Sequence, residues 1–165
     1  MGDCGVSWFS DTVIAYSAPG NRTFVLQSLG SGATRRLIEN DSLGWIFNLV
    51  AHPRGSPALV WWNRSDARGV WTVSEGSQRL LRPGPFFPLR LDSAGTLLAF
   101  EYGTVTQFYR MNIGRPDSVE RIASVPECVL GDINAAGTRI VCDARTSSTD
   151  IWLMRPGRAT PVPRQ

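Results

Sequence analysis

The chain has 165 residues, 42% of them hydrophobic and 19% charged, with a formal charge of +3 and a pI near 9.1. That length permits one domain with a real core, burying roughly 70% of the unfolded surface, and the composition excludes a disordered chain or a coiled coil. No stretch approaches the ~20 apolar residues of a membrane helix, so no membrane insertion is expected, and Met1-Gly2-Asp3-Cys4 has neither the basic nor the apolar region of a secretory signal.

Short β-branched and aromatic runs, punctuated by Gly, Pro, Asn, Asp and Ser, predict strands throughout. No segment keeps the i, i+3, i+4, i+7 spacing of a helix for three turns. In chain order, the first four predicted strands are Gly5–Ser10, Val13–Ser17, Thr23–Gln27 and Thr34–Ile38. Trp45–Ala51, Ala58–Asn63, Val70–Val73 and Ser77–Leu81 follow. The next group is Phe86–Leu91, Leu97–Tyr102, Gln107–Asn112 and Val119–Ala123. The last is Cys128–Ile133, Arg139–Asp143, Asp150–Met154 and a short strand near Ala159–Val162.

These groups repeat. The Gly-Thr turns at Gly95 and Gly137 lie 42 positions apart, and Gly55 precedes Gly95 by 40. Third strands share an aromatic followed two residues later by an aliphatic: Phe24 with Leu26, Trp71 with Val73, Tyr109 with Met111, Trp152 with Met154. Residues two apart on a strand share a face, so each pair can bury against a neighbouring unit. Fourth strands share Arg before aliphatics, and Leu37, Leu80 and Ile122 are spaced by 43 and 42. A four-strand unit with a period of 40–45 residues is a β-propeller blade. The expected fold is therefore all-β, with four-stranded antiparallel blades at about 5–41, 45–82, 86–124 and 128–162 of a single propeller, or partial propeller, spanning 1–165.

The runs Leu97-Leu98-Ala99-Phe100, Val13-Ile14-Ala15-Tyr16, Ile151-Trp152-Leu153-Met154 and Arg36-Leu37 resemble the blade pattern of the TolB-like, or WD40-like, bacterial propeller repeats. The resemblance covers about 150 of the 165 residues. The family's Ser-Pro-Asp-Gly turn is eroded to Phe9-Ser10-Asp11, to His52-Pro53-Arg54-Gly55 and to two Gly-Thr pairs. Such repeats serve in sensor and interaction domains and in periplasmic translocation proteins. The resemblance thus implies a non-enzymatic scaffold that docks a protein or peptide; its compartment is left open, with a bacterial extracytoplasmic or periplasmic setting favoured over the cytoplasm. The alternative it allows is the propeller part of an enzyme, a hydrolase's gating domain or a glycan-acting propeller. Four blades leave three possibilities: part of a larger ring, a closed four-bladed ring, or a half-ring completed by a second copy. Large apolar residues such as Trp8, Trp61, Trp62 and Phe108 make an uncovered end costly, which favours closure by self-association.

Residues for catalysis are few. His52 is the lone histidine and falls in a tight turn beside Pro53, and Gly5-Val6-Ser7-Trp8-Phe9 fails the nucleophile-elbow pattern at its last position. There is no Asp-x-Asp-x-Asp-Gly calcium loop and no cysteine pair at metal spacing. No catalytic residue, metal or cofactor is expected. All 17 basic residues are arginine, a bias that a GC-rich bacterial genome produces, and they are scattered, the longest adjacent run being Arg35-Arg36. Solvated strand faces explain them better than a phosphate-binding stripe, so no nucleic-acid partner is expected. Cys128 and Cys142 fall on adjacent strands, either bridged or as two small buried thiols.

Propeller topology brings the loops between second and third strands to the same rim as the connections between blades. That places Arg22, Arg64, Arg68, Arg82 and Arg145 together, with Trp45, Phe86 and Phe87 where first strands open. Arginine with aromatics is the composition of interface hot spots. The competing expectation is that the aromatics are interblade core and the arginines only keep the rim soluble.

Overall fold

A computed structural model of the chain describes residues 6–18, 20, 23–38, 44–134, 136–144, 151–155 and 158–161. It contains sixteen strands in four antiparallel four-stranded sheets, each a simple meander. The first sheet is β1 (Val6–Ser10), β2 (Val13–Ser17), β3 (Phe24–Ser28) and β4 (Thr34–Arg36). The second is β5 (Gly44–Ala51), β6 (Ala58–Arg64), β7 (Gly69–Ser74) and β8 (Ser77–Pro83). The third is β9 (Phe86–Leu91), β10 (Thr96–Glu101), β11 (Val105–Asn112) and β12 (Arg115–Pro126). The fourth is β13 (Cys128–Ile133), β14 (Ile140–Ala144), β15 (Ile151–Arg155) and β16 (Arg158–Pro161). No described helix is long and apolar enough to cross a membrane.

The sheets stack in chain order, and the first strands adjoin one another: β1 meets β5, β5 meets β9, and β9 meets β13. This is the radial arrangement of propeller blades, with first strands innermost. Among the described residues the fourth sheet makes no contact of that extent with the first.

The core lies between sheets, in three layers. Ala15, Phe24 and Leu26 of the first sheet meet Ile46, Val60, Trp62, Trp71 and Val73 of the second. On the second sheet's other face, Leu59, Val70 and Leu81 meet Leu91, Leu97, Ala99 and Met111 of the third. Leu98, Phe100, Phe108 and Val125 then meet Cys128, Ile133, Ile140 and Cys142 of the fourth. Alternate residues of a strand point to opposite faces. A sheet covered on both sides therefore reads as an unbroken apolar run, which is why β6 begins Ala58-Leu59-Val60-Trp61-Trp62 and β10 holds Leu97-Leu98-Ala99-Phe100.

The repeated turn between first and second strands has one chemistry in three sequences. Its opening residue is His52, Asp92 or Asn134, and the glycine three later donates to that residue's carbonyl: Gly55 at 2.6 Å, Gly95 at 3.1 Å, Gly137 at 2.8 Å. All three glycines have positive φ, 85°, 79° and 68°, a conformation costly for other residues. The opening side chain then accepts backbone N–H groups. Asp92 Oδ1 takes those of Ala94 and Thr96, Asn134 Oδ1 those of Thr138 and Arg139, and His52 Nδ1 that of Arg54.

The turns differ by one residue, because Asp92 N–H closes on the Thr96 carbonyl whereas Asn134 closes on Arg139 and His52 on Pro57. One residue flips the facing of everything after it. The first buried position facing the preceding sheet is thus two residues past Gly95, at Leu97, but three past Gly55 and Gly137, at Ala58 and Ile140. The shared third-strand pattern breaks similarly at the first sheet. Trp71 with Val73 and Met111 face the preceding sheet, whereas Phe24 with Leu26 face the following one. Fourth strands also vary: β4 stops at Arg36 with Leu37 and Ile38 buried beyond it, and β12 is twelve residues long.

Of the alternatives for Cys128 and Cys142, the structure holds the disulfide, with the Cα atoms 5.4 Å apart. The cysteines are not directly opposite. Cys128 pairs with Ala144 and Cys142 with Gly131, and a bulge after Cys128 draws the two together.

Candidate binding rim

Strand direction puts the loops 64–69 and 101–105 and the connections 83–86 and 126–128 at one rim. Arg64, Arg68, Arg82, Trp45, Phe86 and Phe87 belong to it; Arg22 and Arg145 lie outside the described residues. The loop and the connection of the second sheet are tied together, Gly84 N–H donating to the Arg68 carbonyl at 3.0 Å. From beneath, Trp61 Nε1 donates to the Gly84 carbonyl at 3.2 Å.

Two of the arginines are braced by aromatic rings. The Arg64 guanidinium lies 4.9 Å from the Trp62 ring centre and 4.8 Å from that of Trp71, within cation–π range. It also makes two hydrogen bonds to Asp66, at 2.9 and 3.0 Å, which hold the Asp66 carboxyl below the ordinary carboxylate range. Only 15% of the Arg64 side chain is exposed, against 55% of Asp66. Arg82 sits 4.6 Å over Phe86 and donates to the Pro116 carbonyl at 2.7 Å, linking the second sheet to the third. Arg68 is exposed, and its side chain makes no contact of this kind among the described residues.

The aromatic positions divide. Phe87 is stacked between Trp61 at 4.4 Å and Phe100 at 5.1 Å, and Phe86 packs edge-on against Tyr109 at 5.2 Å. Both are half-buried interblade packing. Burial, together with a hydrogen bond to Glu101 at 3.0 Å, pushes the Tyr109 hydroxyl pKa up. Trp45 is different: it opens β5 opposite Asn63 and is 51% exposed. Tyr102, 46% exposed, stands against the edge of Phe87 at 6.5 Å and escaped the sequence reading. The signal for it was the Phe100-x-Tyr102 spacing, which places a second ring on the Phe100 side at the strand's rim end.

The described cavities open at the opposite rim. One of about 390 Å³ is lined by Trp8 to Asp11 and by Ala51, His52 and Pro53; another of about 240 Å³ is lined by Arg90, Asp92, Thr96, Leu98, Arg110 and Ala136. His52 is a turn residue here, its Nδ1 occupied by the Arg54 amide at 3.1 Å. Among the described residues, no three His, Cys, Asp or Glu side chains cluster to hold a metal ion.

Neither a protein-family model nor a curated protein sequence matches the chain. Solved structures do. Over 90% of its length it is similar to a chain of a nidogen/laminin complex, with a TM-score of 0.68 and 13% identity. TolB from Acinetobacter baumannii matches over 94% with a TM-score of 0.67 and 12% identity. An oligogalacturonate lyase in complex with manganese matches over 93% with a TM-score of 0.64 and 16% identity. The chain spans 59%, 42% and 43% of those three chains respectively. At such identities the likeness shows the fold alone. With the four stacked sheets, it makes this chain a four-bladed stretch of β-propeller.

Proposed function

We propose that the chain is a non-enzymatic propeller scaffold that docks a protein or peptide on the rim carrying Trp45. The observation that carries this reading is a half-exposed indole at the mouth of an inner strand, on a rim where the Arg64 and Arg82 guanidinium groups are held by rings and Arg68 projects freely. With Arg64 engaged by Asp66 and Arg82 by the Pro116 carbonyl, the exposed Arg68 is the guanidinium on this rim that suits a segment bearing an apolar side chain next to a carboxylate. Support for a protein-docking reading also comes from the shared fold of a chain solved in a nidogen/laminin complex.

The test is selection of the 165-residue chain against a random dodecapeptide library. Enriched peptides should carry Asp or Glu beside an aromatic or aliphatic residue. Trp45→Ala and Arg68→Ala should each weaken the best of them by about tenfold or more, with unfolding curves unchanged. Equal binding by both variants would remove the rim from the function. The lyase likeness supplies the competing enzyme reading; turnover of uronate oligosaccharides by the isolated chain, with or without manganese, would overturn the scaffold.

A further inference from the structure

On the rim opposite Trp45, the third sheet carries a row of charged side chains beneath the first turn of the fourth sheet. The register aligns Arg90 with Leu98, Leu98 with Arg110, and Arg110 with Glu120. Directly opposed residues of paired strands project from the same face, and Leu98 packs against the fourth sheet. Both arginines therefore face the fourth sheet, one on either side of Leu98. The turn that opens with Asn134 covers the row: a Cβ at Gly137 would stand 2.7 Å from Arg110 Nη2 and 3.8 Å from Leu98 Cδ2. Between row and turn lies the cavity of about 240 Å³ lined by Arg90, Asp92, Thr96, Leu98, Arg110 and Ala136.

The charges lining this cavity are not paired with one another. Arg110 is set between Gly137 and Glu120, whose Oε2 its Nη1 reaches at 3.3 Å. Arg90 is exposed, and its side chain makes no hydrogen bond or ion pair among the described residues. Asp92 Oδ1 is engaged by the Ala94 and Thr96 amides, and neither arginine bonds to its carboxylate. The turn backbone therefore fixes where that negative charge stands, before any ligand arrives.

We propose that this cavity binds a small zwitterion, a free α-amino acid with a short aliphatic side chain. The ligand's carboxylate lies between the Arg90 and Arg110 guanidinium groups, its ammonium against Asp92, and its side chain on Leu98 and Ala136. Guanidinium groups match a carboxylate in charge and in the geometry of their donors. A plain anion would meet the Asp92 carboxylate, and a plain cation would meet two guanidinium groups. A ligand bearing both charges is the one that leaves neither sign opposed. At about 240 Å³ the space falls below that of pockets for drug-sized ligands, roughly 300–1,000 Å³, which limits the ligand to a small one. The site lies on the rim away from Trp45 and is independent of peptide docking there.

The test is titration of the isotope-labelled chain with L-alanine, propionate and ethylamine at constant ionic strength, followed by amide chemical shifts. Propionate lacks the ammonium of L-alanine, and ethylamine lacks its carboxylate. L-Alanine should give saturable shifts at Thr96, Ala136 and Gly137 below about 50 mM, and the other two should bind about tenfold more weakly or worse. Arg90→Ala removes an exposed side chain without partners, so unfolding curves should be unchanged while L-alanine binding weakens about tenfold or more. Asp92→Asn keeps an acceptor for the turn amides and should reduce L-alanine to the affinity of propionate. Propionate or ethylamine binding the unsubstituted chain as tightly as L-alanine overturns the proposal, leaving a site for one sign of charge only. Shifts that never saturate, or L-alanine binding indifferent to Arg90→Ala, overturn it as well.

Discussion

The Thr106 hydroxyl donates to the Cys128 carbonyl at 2.6 Å from a position only 1% exposed, and this bond joins the third sheet to the first strand of the fourth. A buried carbonyl that loses its donor keeps the full desolvation penalty. Thr106→Val should therefore cost about 1–3 kcal/mol in urea unfolding, whereas Thr106→Ser, which keeps the hydroxyl, should cost clearly less. Equal losses would make the position a matter of packing only.

The adjacent disulfide closes a short loop, Cys128 and Cys142 being 14 residues apart. Cross-linking at that separation restricts the unfolded chain by about 3 kcal/mol. Replacing both cysteines with Ala should lower stability by about 2–4 kcal/mol. Reductant should destabilise the natural sequence and leave the double variant unchanged. A thiol titration that finds three free thiols without reductant would contradict the bridge.

Asp92 gives the turn before β10 a pH dependence. The Thr96 and Ala94 amides that donate to its carboxylate hold its pKa below the ordinary value, against a smaller opposing effect of burial. The unfolded group ionises at about pH 4. The stabilisation is thus complete above that pH and is lost as pH falls through the folded value. Asn134 performs the same task in the fourth sheet without a charge. Asp92→Asn should accordingly fold nearly as well at pH 7 while flattening the acid side of the stability profile, and Asp92→Ala should lose about 1 kcal/mol.

The rim arginines should separate by context. Arg64→Ala removes a guanidinium packed on Trp62 and Trp71, so a loss of about 1–2 kcal/mol is expected in thermal or urea unfolding. Arg68→Ala should stay within about 0.5 kcal/mol. If the two variants unfold alike, the stacking contributes nothing to the fold.

Much of this architecture was legible from alternation and period. The run Leu97-Leu98-Ala99-Phe100 marks a strand apolar on both faces, and such a strand needs a sheet on either side. The glycines at 55, 95 and 137 mark one turn at one place in the blade, because positive φ there excludes most other residues. Phe86 and Phe87 were less legible. Rim and core aromatics have the same composition, and only the stacking of Phe87 between Trp61 and Phe100 distinguishes it from the half-exposed Trp45.

By itself, the sequence determined the sixteen-strand order, the four-strand repeat and the all-β fold, since these depend on local propensity and on spacing along the chain. Tertiary structure alone decided three further matters. The turn after Asp92 closes one residue sooner than those after His52 and Asn134, which reverses the facing of the following positions relative to a simple alignment. Cys128 and Cys142 meet because a bulge shortens a diagonal that register alone leaves open. Which side chains of the first sheet face away from the second, Val6 and Trp8 among them, was decided by register, because one added residue inverts the facing of all that follow.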